Sequence, residues 1–484
     1  MAYKHGTHGE FAKSIGAVPV SSGTTAVYVG TAPINLVRGY ADMDLVNTPV
    51  KISNLNEAYE KMGYSKDWDS FTLCEAIKAH FNNSYGNVGP VVFINVLDPA
   101  THKVTEAVTE EITFVNGRAY INGDTIILDT LAITDKAEGV DYTVEYDFTE
   151  GRTVLESKTI TGAVTVTYSK VDTTAVQTAD IIGKATAEGE FAGLGAVQLV
   201  YMELGLIPNI INVPKYSTLK DVYTAMLNAG TKINGHWDAF INADIDISQN
   251  DTIAKAIEWR EANGYINERS KVYFPKWQTK DGEIYHLSTF ATWLMLQLDA
   301  EHNGVPMETP SNKQIPAGKQ YFGENSKNRG FDQQTANQLN ANGITTAVYW
   351  GGINVLWGPH TAAFVDGAIT DNRAIFDNSI RTMMYVTNSF QQEWGLTIDQ
   401  PMTRALADTI KNVEQEKADA LKAIGALIGK PVVAFVESDN TVDNLVQGDF
   451  VWKNEMTPTP PFKSGTLKVA YTTDGFAAEF GGDV

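Results

Sequence analysis

Pro90-Val91-Val92-Phe93-Ile94-Asn95-Val96-Leu97 is a nearly continuous apolar run opened by a proline. A strand with one wet face alternates apolar and polar residues. A run like this one reads instead as a strand covered on both faces, as in a parallel sheet between helices. Upstream, an N-cap at Asp69 followed by Phe71, Cys74, Ile77 and Phe81 has helical spacing. Earlier still, Thr24-Thr25-Ala26-Val27-Tyr28-Val29-Gly30 reads as a strand stopped by glycine. Strand, helix, strand makes the opening of the chain α/β.

Downstream of this unit the character changes near Thr101. From there to about Thr178 the chain has no Pro, Trp, Met or Cys and is rich in Thr, Val, Ile and Tyr. Asn116-Gly117 and Asn122-Gly123 each sit between short apolar runs and predict hairpin turns. Tyr142, Val144, Tyr146 and Phe148 alternate, as do Val164, Val166 and Tyr168, each set marking one face of a strand. The pattern predicts an all-β domain inserted into the α/β frame.

From about Ala179 the α/β pattern returns. A helix over Phe191 to Leu204 leads to a strand at Asn209–Val213, and a helix follows from Ser217 through Leu219, Val222 and Met226. Trp237–Ile241 and Val272–Phe274 are further strands, each followed by a helix, at Ile253–Trp259 and Leu287–Leu298. Such alternation predicts a mainly parallel sheet covered by helices. Residues 303–335 read as a long loop. Two amphipathic helices come next. Phe376, Ile380, Met383, Phe390 and Trp394 form one apolar face; Met402, Leu406, Ile410, Val413, Ala420 and Ile424 form the other. Pro401 suits the start of the second helix and Gly425 its end. Pro431–Val436 and Asp449–Trp452 read as strands, and beyond a Pro-rich linker Leu467-Lys468-Val469-Ala470-Tyr471 alternates.

The chain has 484 residues, enough for roughly three structural units. With 43% apolar and 20% charged residues it can bury a sizeable core. Its 58 acidic against 37 basic side chains give a net charge of −21, which repels phosphate backbones, and no basic patch offsets it. The first residues lack the apolar stretch of a secretory signal, and Phe290–Leu298 is too short to span a bilayer. One cysteine, Cys74, excludes internal disulfides and suits a reducing cytoplasm.

Motifs for chemistry fail one by one. Gly425-Ala426-Leu427-Ile428-Gly429-Lys430 resembles a phosphate loop but is one residue short, and Pro431 replaces the magnesium-holding hydroxyl. Gly193-Leu194-Gly195 lacks the third glycine and preceding strand of a dinucleotide site and reads as helix packing. No Gly-x-Ser-x-Gly elbow occurs, and Cys74 lies on an apolar helix face. His5 and His8 are the only close histidine pair, and Asp244 and Asp246 lack the glycine and glutamate of a calcium loop. Trp350 and Trp357 read as packing residues. We therefore assign no catalytic, cofactor-binding or metal-ligating residue and expect no cofactor. An α/β enzyme with a β accessory domain, such as a glycan hydrolase using paired carboxylates, is the alternative; a surface adhesin would carry an export signal. The ends are more informative. Leu467, Val469 and Tyr471 point to one side of an extended segment, with Phe476 and Phe480 beyond. Such a segment docks on its own core or adds to a sheet edge of a neighbouring molecule.

The order of segments resembles the contractile-tail sheath proteins of bacteriophages and phage-tail-like particles. The resemblance lies in Ala26–Pro33, in Phe71–Asn83, in Gly89–Val96, and in Trp350–Gly358 ahead of Asp371–Ile380. It continues in Lys422-Ala423-Ile424-Gly425-Ala426-Leu427-Ile428-Gly429, the strand pair and the terminal strand, covering roughly the first hundred and last hundred and fifty residues. It implies a multidomain α/β chain of helix-covered mixed sheets with extended terminal arms. Its parts would be an arm at 1–20, a discontinuous core at 21–100 and 346–461, the all-β insertion at 101–178, an α/β middle domain at 179–345 and an arm strand at 462–484. It also implies stacked six-fold rings around an inner tail tube, with baseplate and tail-terminator partners, and neither nucleic-acid binding nor membrane embedding. Arms would lace neighbours by strand addition through Leu467, Val469, Tyr471, Phe476 and Phe480; Glu414, Glu416, Lys417 and Lys422 are candidate tube contacts. Synthesis and assembly in the host bacterial cytoplasm would precede a place in the virion tail. The extended sheath would be a kinetic trap, and its release would perform work without a nucleotide.

Overall fold

The computed structural model describes residues 20–481. Both strands of the opening unit form, and they lie side by side: β1 (Val20–Gly30) pairs in parallel with β3 (Val88–Asn95), Val27 against Val92 and Tyr28 against Phe93. Ala26, Val27, Tyr28 and Val29 are wholly buried, as a strand covered on both faces requires. β2 (Pro49–Ile52) runs antiparallel outside β3. On the other side of β1 follow the parallel strands β12 (Pro208–Asn212), β13 (Phe240–Asp244), β14 (Ser270–Tyr273) and β18 (Ile344–Trp350), closed by the antiparallel β19 (Ile353–Trp357). The sheet is mixed, as expected. Its order joins β12, β13 and β14 directly to β1 and β18, so residues 179–345 share one sheet and one core with 21–100 and do not form a separate middle domain. Crossover strands bury their faces only beside one another, and composition along the chain does not reveal that neighbourhood.

α1 (Leu55–Lys61) and α2 (Leu73–Phe81) lie between β2 and β3 in the chain. α2 starts four residues after the expected cap at Asp69. Thr31 of the β1 exit does the capping: its hydroxyl accepts from Thr72 N–H at 3.0 Å and its carbonyl from Leu73 N–H at 3.0 Å. α7 (Leu287–Glu301) crosses the sheet with most of its residues buried. Its polar side chains clasp strand ends. Ser288 donates to Asp244, Asn212 and Asn242 donate to Thr292, and Glu75 of α2 accepts from the His286 backbone N–H, with its other oxygen 2.7 Å from His286 Nδ1. Glu75 and Asp244, carboxylates of the kind an enzyme reading needs, are thus wholly used in holding α2 and α7 to the sheet.

His80 is buried, with Nε2 2.9 Å from the Tyr28 hydroxyl and Nδ1 3.2 Å from the Val88 carbonyl. Burial holds its pKa down at about 4. The unfolded chain, with histidine near about 6.5, therefore takes up a proton that the folded chain refuses, and stability should fall as pH drops through that window. His80→Gln should remove about 2 kcal/mol of the loss between pH 7 and pH 5 in urea unfolding. An unchanged loss would mean that His80 charges without unfolding.

Six strands occupy 101–178: β4 (Val108–Phe114), β5 (Arg118–Asn122), β6 (Ala132–Ile133), β7 (Thr143–Asp147), β8 (Arg152–Glu156) and β9 (Gly162–Tyr168). They form two antiparallel sheets, β4-β9-β6 and β5-β8-β7, around a core of their own that includes Phe114, Ile121, Leu155 and Val166. Asn116 and Gly117 make the expected tight turn, both with positive φ (51° and 80°). Asn122-Gly123 does not. Only Gly123 has positive φ there, and the chain leaves β5 for the other sheet. Asn35 fastens this unit to the body through the Asp124 and Ile126 carbonyls, both at 2.8 Å.

Between β9 and β18 lie α3 (Thr178–Ile182), the short pair β10 (Lys184–Ala185) and β11 (Phe191–Ala192), α4 (Val197–Leu204), α5 (Lys220–Ala229) and α6 (Ile253–Asn263). β15 (Lys276–Thr279), β16 (Ile284–Tyr285), β17 (Gly318–Tyr321) and α8 (Gln333–Asn340) complete the set. The helix expected from Phe191 begins only at Val197, because Gly193 and Gly195 press against the 180–185 backbone. A Cβ on Gly195 would stand 2.0 Å from the Lys184 carbonyl oxygen. The strand expected at Trp237–Ile241 is displaced to β13, since Trp237 closes a turn with Ile233. The long loop contains β17, which pairs with β15.

The last layer is α9 (Asp377–Trp394), α10 (Arg404–Ala423), β20 (Leu427–Ala434), α11 (Val442–Gln447) and β21 (Lys453–Pro458), followed by α12 (Asp474–Phe480). β20 and β21 form an antiparallel pair. Thr403 caps α10 by accepting from Leu406 N–H, and Gly425, at φ 86°, ends it. β21 begins after the expected Asp449–Trp452, because the Asn440 side chain bonds both the Val451 N–H and its carbonyl and so holds that stretch out of the ladder. The buried face of α10 is Ala407, Ile410, Glu414, Ala418 and Leu421; Ala420 and Ile424 of the expected stripe are exposed.

Candidate assembly interface

The carboxy-terminal segment leaves the body at a fixed root. Thr459 N–H bonds the Ala426 carbonyl, its hydroxyl bonds the Gly425 carbonyl, and its own carbonyl accepts from Asn378 Nδ2. Pro460 and Pro461 then remove two donors and stiffen the exit. Beyond them Leu467, Val469 and Tyr471 are 87%, 86% and 81% exposed. Residues 464–472 form no strand and make no backbone–backbone hydrogen bond with the described residues. Three large apolar side chains at period two, held away from the body, form a surface that a solitary soluble molecule would bury. Phe476 and Phe480 do not extend this alternation. They sit on α12, one turn apart and exposed, with ring centroids 6.5 Å apart. Of the expected amino-terminal arm, residues 1–19 lie outside the described residues.

Sheet edges are the natural acceptors of such a segment. In the large sheet, β19 is already flanked by 312–315, through Asn312 N–H to the Leu356 carbonyl and Ile315 N–H to the Asn354 carbonyl. β2, at the other edge, has four residues and opens on Pro49, which has no N–H to offer. The β20–β21 pair stands alone as a two-stranded ribbon.

Of the candidate tube contacts, Glu414 is not at the surface. It is 5% exposed, accepts from Trp394 Nε1 at 2.8 Å and from Lys417 Nζ at 2.8 Å, and so bolts α10 to α9. Lys417 also pairs with Glu393. Partial burial opposes its charge, but the two glutamates outweigh that and raise its pKa above the usual lysine value. Glu416 and Lys422 are exposed. Sequence reasoning missed a further feature that its own pattern contained. The apolar stripe written for α10 is wider than the face it buries, and part of the surplus lines an apolar groove of about 510 Å³ between α9, α10 and β21, with Tyr385, Val386, Ile424 and Met456 on its walls.

No known family model matches the chain. The chain is 29% identical to the tail sheath protein of Burkholderia phage BcepMu over 506 aligned positions, which cover 99% of each chain. Over its whole length the chain is thus similar to a contractile-tail sheath protein. That alignment runs through the middle of the chain, where the residue-level resemblance stopped. The fold agrees. A chain from the baseplate of the anti-feeding prophage superposes with a TM-score of 0.58 at 13% identity, covering 98% of this chain and all of that one. A chain from the sheath complex of the extracellular contractile injection system PVC, in the contracted state, gives 0.57 at 11% identity over 98% and 99% of the two chains. The likeness to sheath proteins points to a structural role. None of its described helices is long and apolar enough to cross a membrane, and no described cluster of His, Cys, Asp or Glu is arranged to hold a metal ion.

Proposed function

We propose that the subunit polymerises by giving its terminal segments to its neighbours. Residues 462–484 act as an arm, Leu467, Val469 and Tyr471 forming the face buried when the arm joins a sheet edge of an adjacent copy; residues 1–20 are the second arm. Main-chain hydrogen bonds supply affinity and the alternate side chains supply register. The observation that carries this reading is the exposure of those three side chains beyond a rigid root. Copies so laced stack as six-fold rings around an inner tail tube, between a baseplate and a tail terminator. Contraction then moves the bodies as units while the arms keep them tied, and drives the tube through a cell envelope. Glu416 and Lys422 remain as tube contacts; Glu414 and Lys417 are taken up between α9 and α10. The all-β unit at 101–178, with its separate core and its attachment through Asn35, is an insertion that projects outward from the cylinder. Assembly takes place in the host bacterial cytoplasm and the product is the virion tail. Val469→Asp tests the reading. One carboxylate buried per interface should raise the protein concentration needed for assembly at least about tenfold. Assembly at the parent concentration would refute it.

A further inference from the structure

Asn-Gly occurs six times in the chain, beginning at Asn116, Asn122, Asn234, Asn263, Asn303 and Asn342. The pair carries a chemistry of its own. The glycine nitrogen, with no Cβ beside it, attacks the asparagine Cγ. A C–N bond forms, and the side-chain nitrogen leaves as ammonia with the proton the glycine gives up. Water then opens the resulting succinimide at one of its two C–N bonds. One opening yields aspartate. The other yields isoaspartate, whose main chain runs through the side chain and is one carbon longer. Attack requires the glycine N–H to shed its proton, so an N–H held in a hydrogen bond reacts slowly.

The fold holds four of the six. The Gly235 N–H donates to the Lys232 carbonyl at 2.8 Å, Gly264 to Glu261 at 3.1 Å, Gly304 to Asp299 at 2.6 Å and Gly343 to Asn340 at 3.1 Å. Breaking such a bond first slows the attack roughly fivefold. Asn116-Gly117 is locked in another way. Val115 and Arg118 exchange both backbone hydrogen bonds around it, at 2.8 and 3.1 Å, and the Gly117 carbonyl accepts from the Ser157 N–H at 2.9 Å. Asn122-Gly123 escapes all of this. Both residues are exposed, and nothing stands within 4 Å of the Cβ position of Gly123. Neither the Gly123 N–H nor the Asn122 side chain has a hydrogen-bond partner among the described residues.

The position gives the conversion an effect. Asn122 is the last residue of β5 and stands opposite Arg152 in the ladder. Just beyond Gly123 the chain is pinned to the body. Asn35 holds the Asp124 and Ile126 carbonyls at 2.8 Å, and Arg38 Nη1 holds the Leu128 carbonyl at 2.6 Å. Aspartate at 122 keeps the backbone length and sets a carboxylate across from a guanidinium. Isoaspartate adds a carbon between two fixed points, so either the last rung or the first pinned carbonyl has to give way.

We infer that Asn122 is a site of spontaneous deamidation, selected by the fold from six like pairs, and that its isoaspartate product loosens the segment tying the all-β unit to the body. The test holds the full chain in neutral buffer and maps its peptides by mass spectrometry over time. The peptide with Asn122 should gain the mass difference between amide and acid at least about fivefold faster than those with Asn234, Asn263, Asn303 or Asn342. It should also lead the peptide with Asn116, and in denaturant the six rates should converge. A native rate at Asn122 no higher than the others would overturn the site. Hydrogen exchange over 123–128 should rise in the aged chain with its isoaspartate content and stay at the fresh level in Asn122→Asp. No rise in the aged chain, or an equal rise in Asn122→Asp, would overturn the loosening.

Discussion

A chain ending at Pro461 should stay a folded monomer at concentrations where the full chain polymerises. The body gives up little in the deletion. Leu467, Val469 and Tyr471 are almost fully exposed, α12 is exposed too, and the root bonds of Thr459 remain. The assembly gives up much. Burying each of the three side chains contributes about 1.5–3 kcal/mol, and every subunit contributes the same set, so the loss recurs at each contact of the array. Sedimentation velocity of the two chains should show large particles for one and a single slow species for the other, with thermal midpoints within a few degrees. Particles of equal size would remove the arm from the account.

The largest effect on folding should come from Asp377→Ala. Lys271 of β14 is wholly buried, and its Nζ reaches Asp377 Oδ2 at 2.5 Å and the Gly358 carbonyl at 2.6 Å. Asp377 opens α9 and accepts also from the Thr309 hydroxyl at 2.9 Å. Burial pushes the Lys271 pKa down, while Asp377 opposes that shift. Removing the carboxylate leaves an ammonium with no counter-ion in the core, which costs about 3–5 kcal/mol. A Lys271→Met, Asp377→Leu double variant, with neither charge, should recover most of it. Chemical unfolding measures both; a cost below about 1 kcal/mol for Asp377→Ala would mean that water reaches the pair. Asn378, the next residue, donates to the Thr459 carbonyl, so the same site holds the root of the carboxy-terminal segment.

The α/β frame was legible because β1 and β3 are buried on both faces and their apolar runs say so without help from the rest of the chain. The two-sheet β unit was legible through Asn116-Gly117 and the alternation around Val144 and Val166. Sheet order was not. Nothing in Ile210-Ile211 or Val272-Tyr273 announces that they stand between β1 and β18, since parallel neighbours are chosen by tertiary burial and not by local pattern. Starts of elements slipped where distant groups intervene, as Thr31 does at α2 and the 180–185 backbone does at Gly193 and Gly195. The alternation of Leu467, Val469 and Tyr471 could be read directly, and the structure leaves all three exposed. Glu414 misled: a charge on an amphipathic helix reads as solvated, and only the position of Trp394 shows it turned inward.

The central claim is that each body is completed by a segment of another molecule. A cryo-electron-microscopy map of the assembled particle, traced from Thr459 onward, tests it directly. The account predicts continuous density from the root of one subunit into a neighbour, with residues 466–472 hydrogen-bonded as a strand on that neighbour's sheet. Density that turns back and pairs residues 466–472 with the subunit they came from would contradict it.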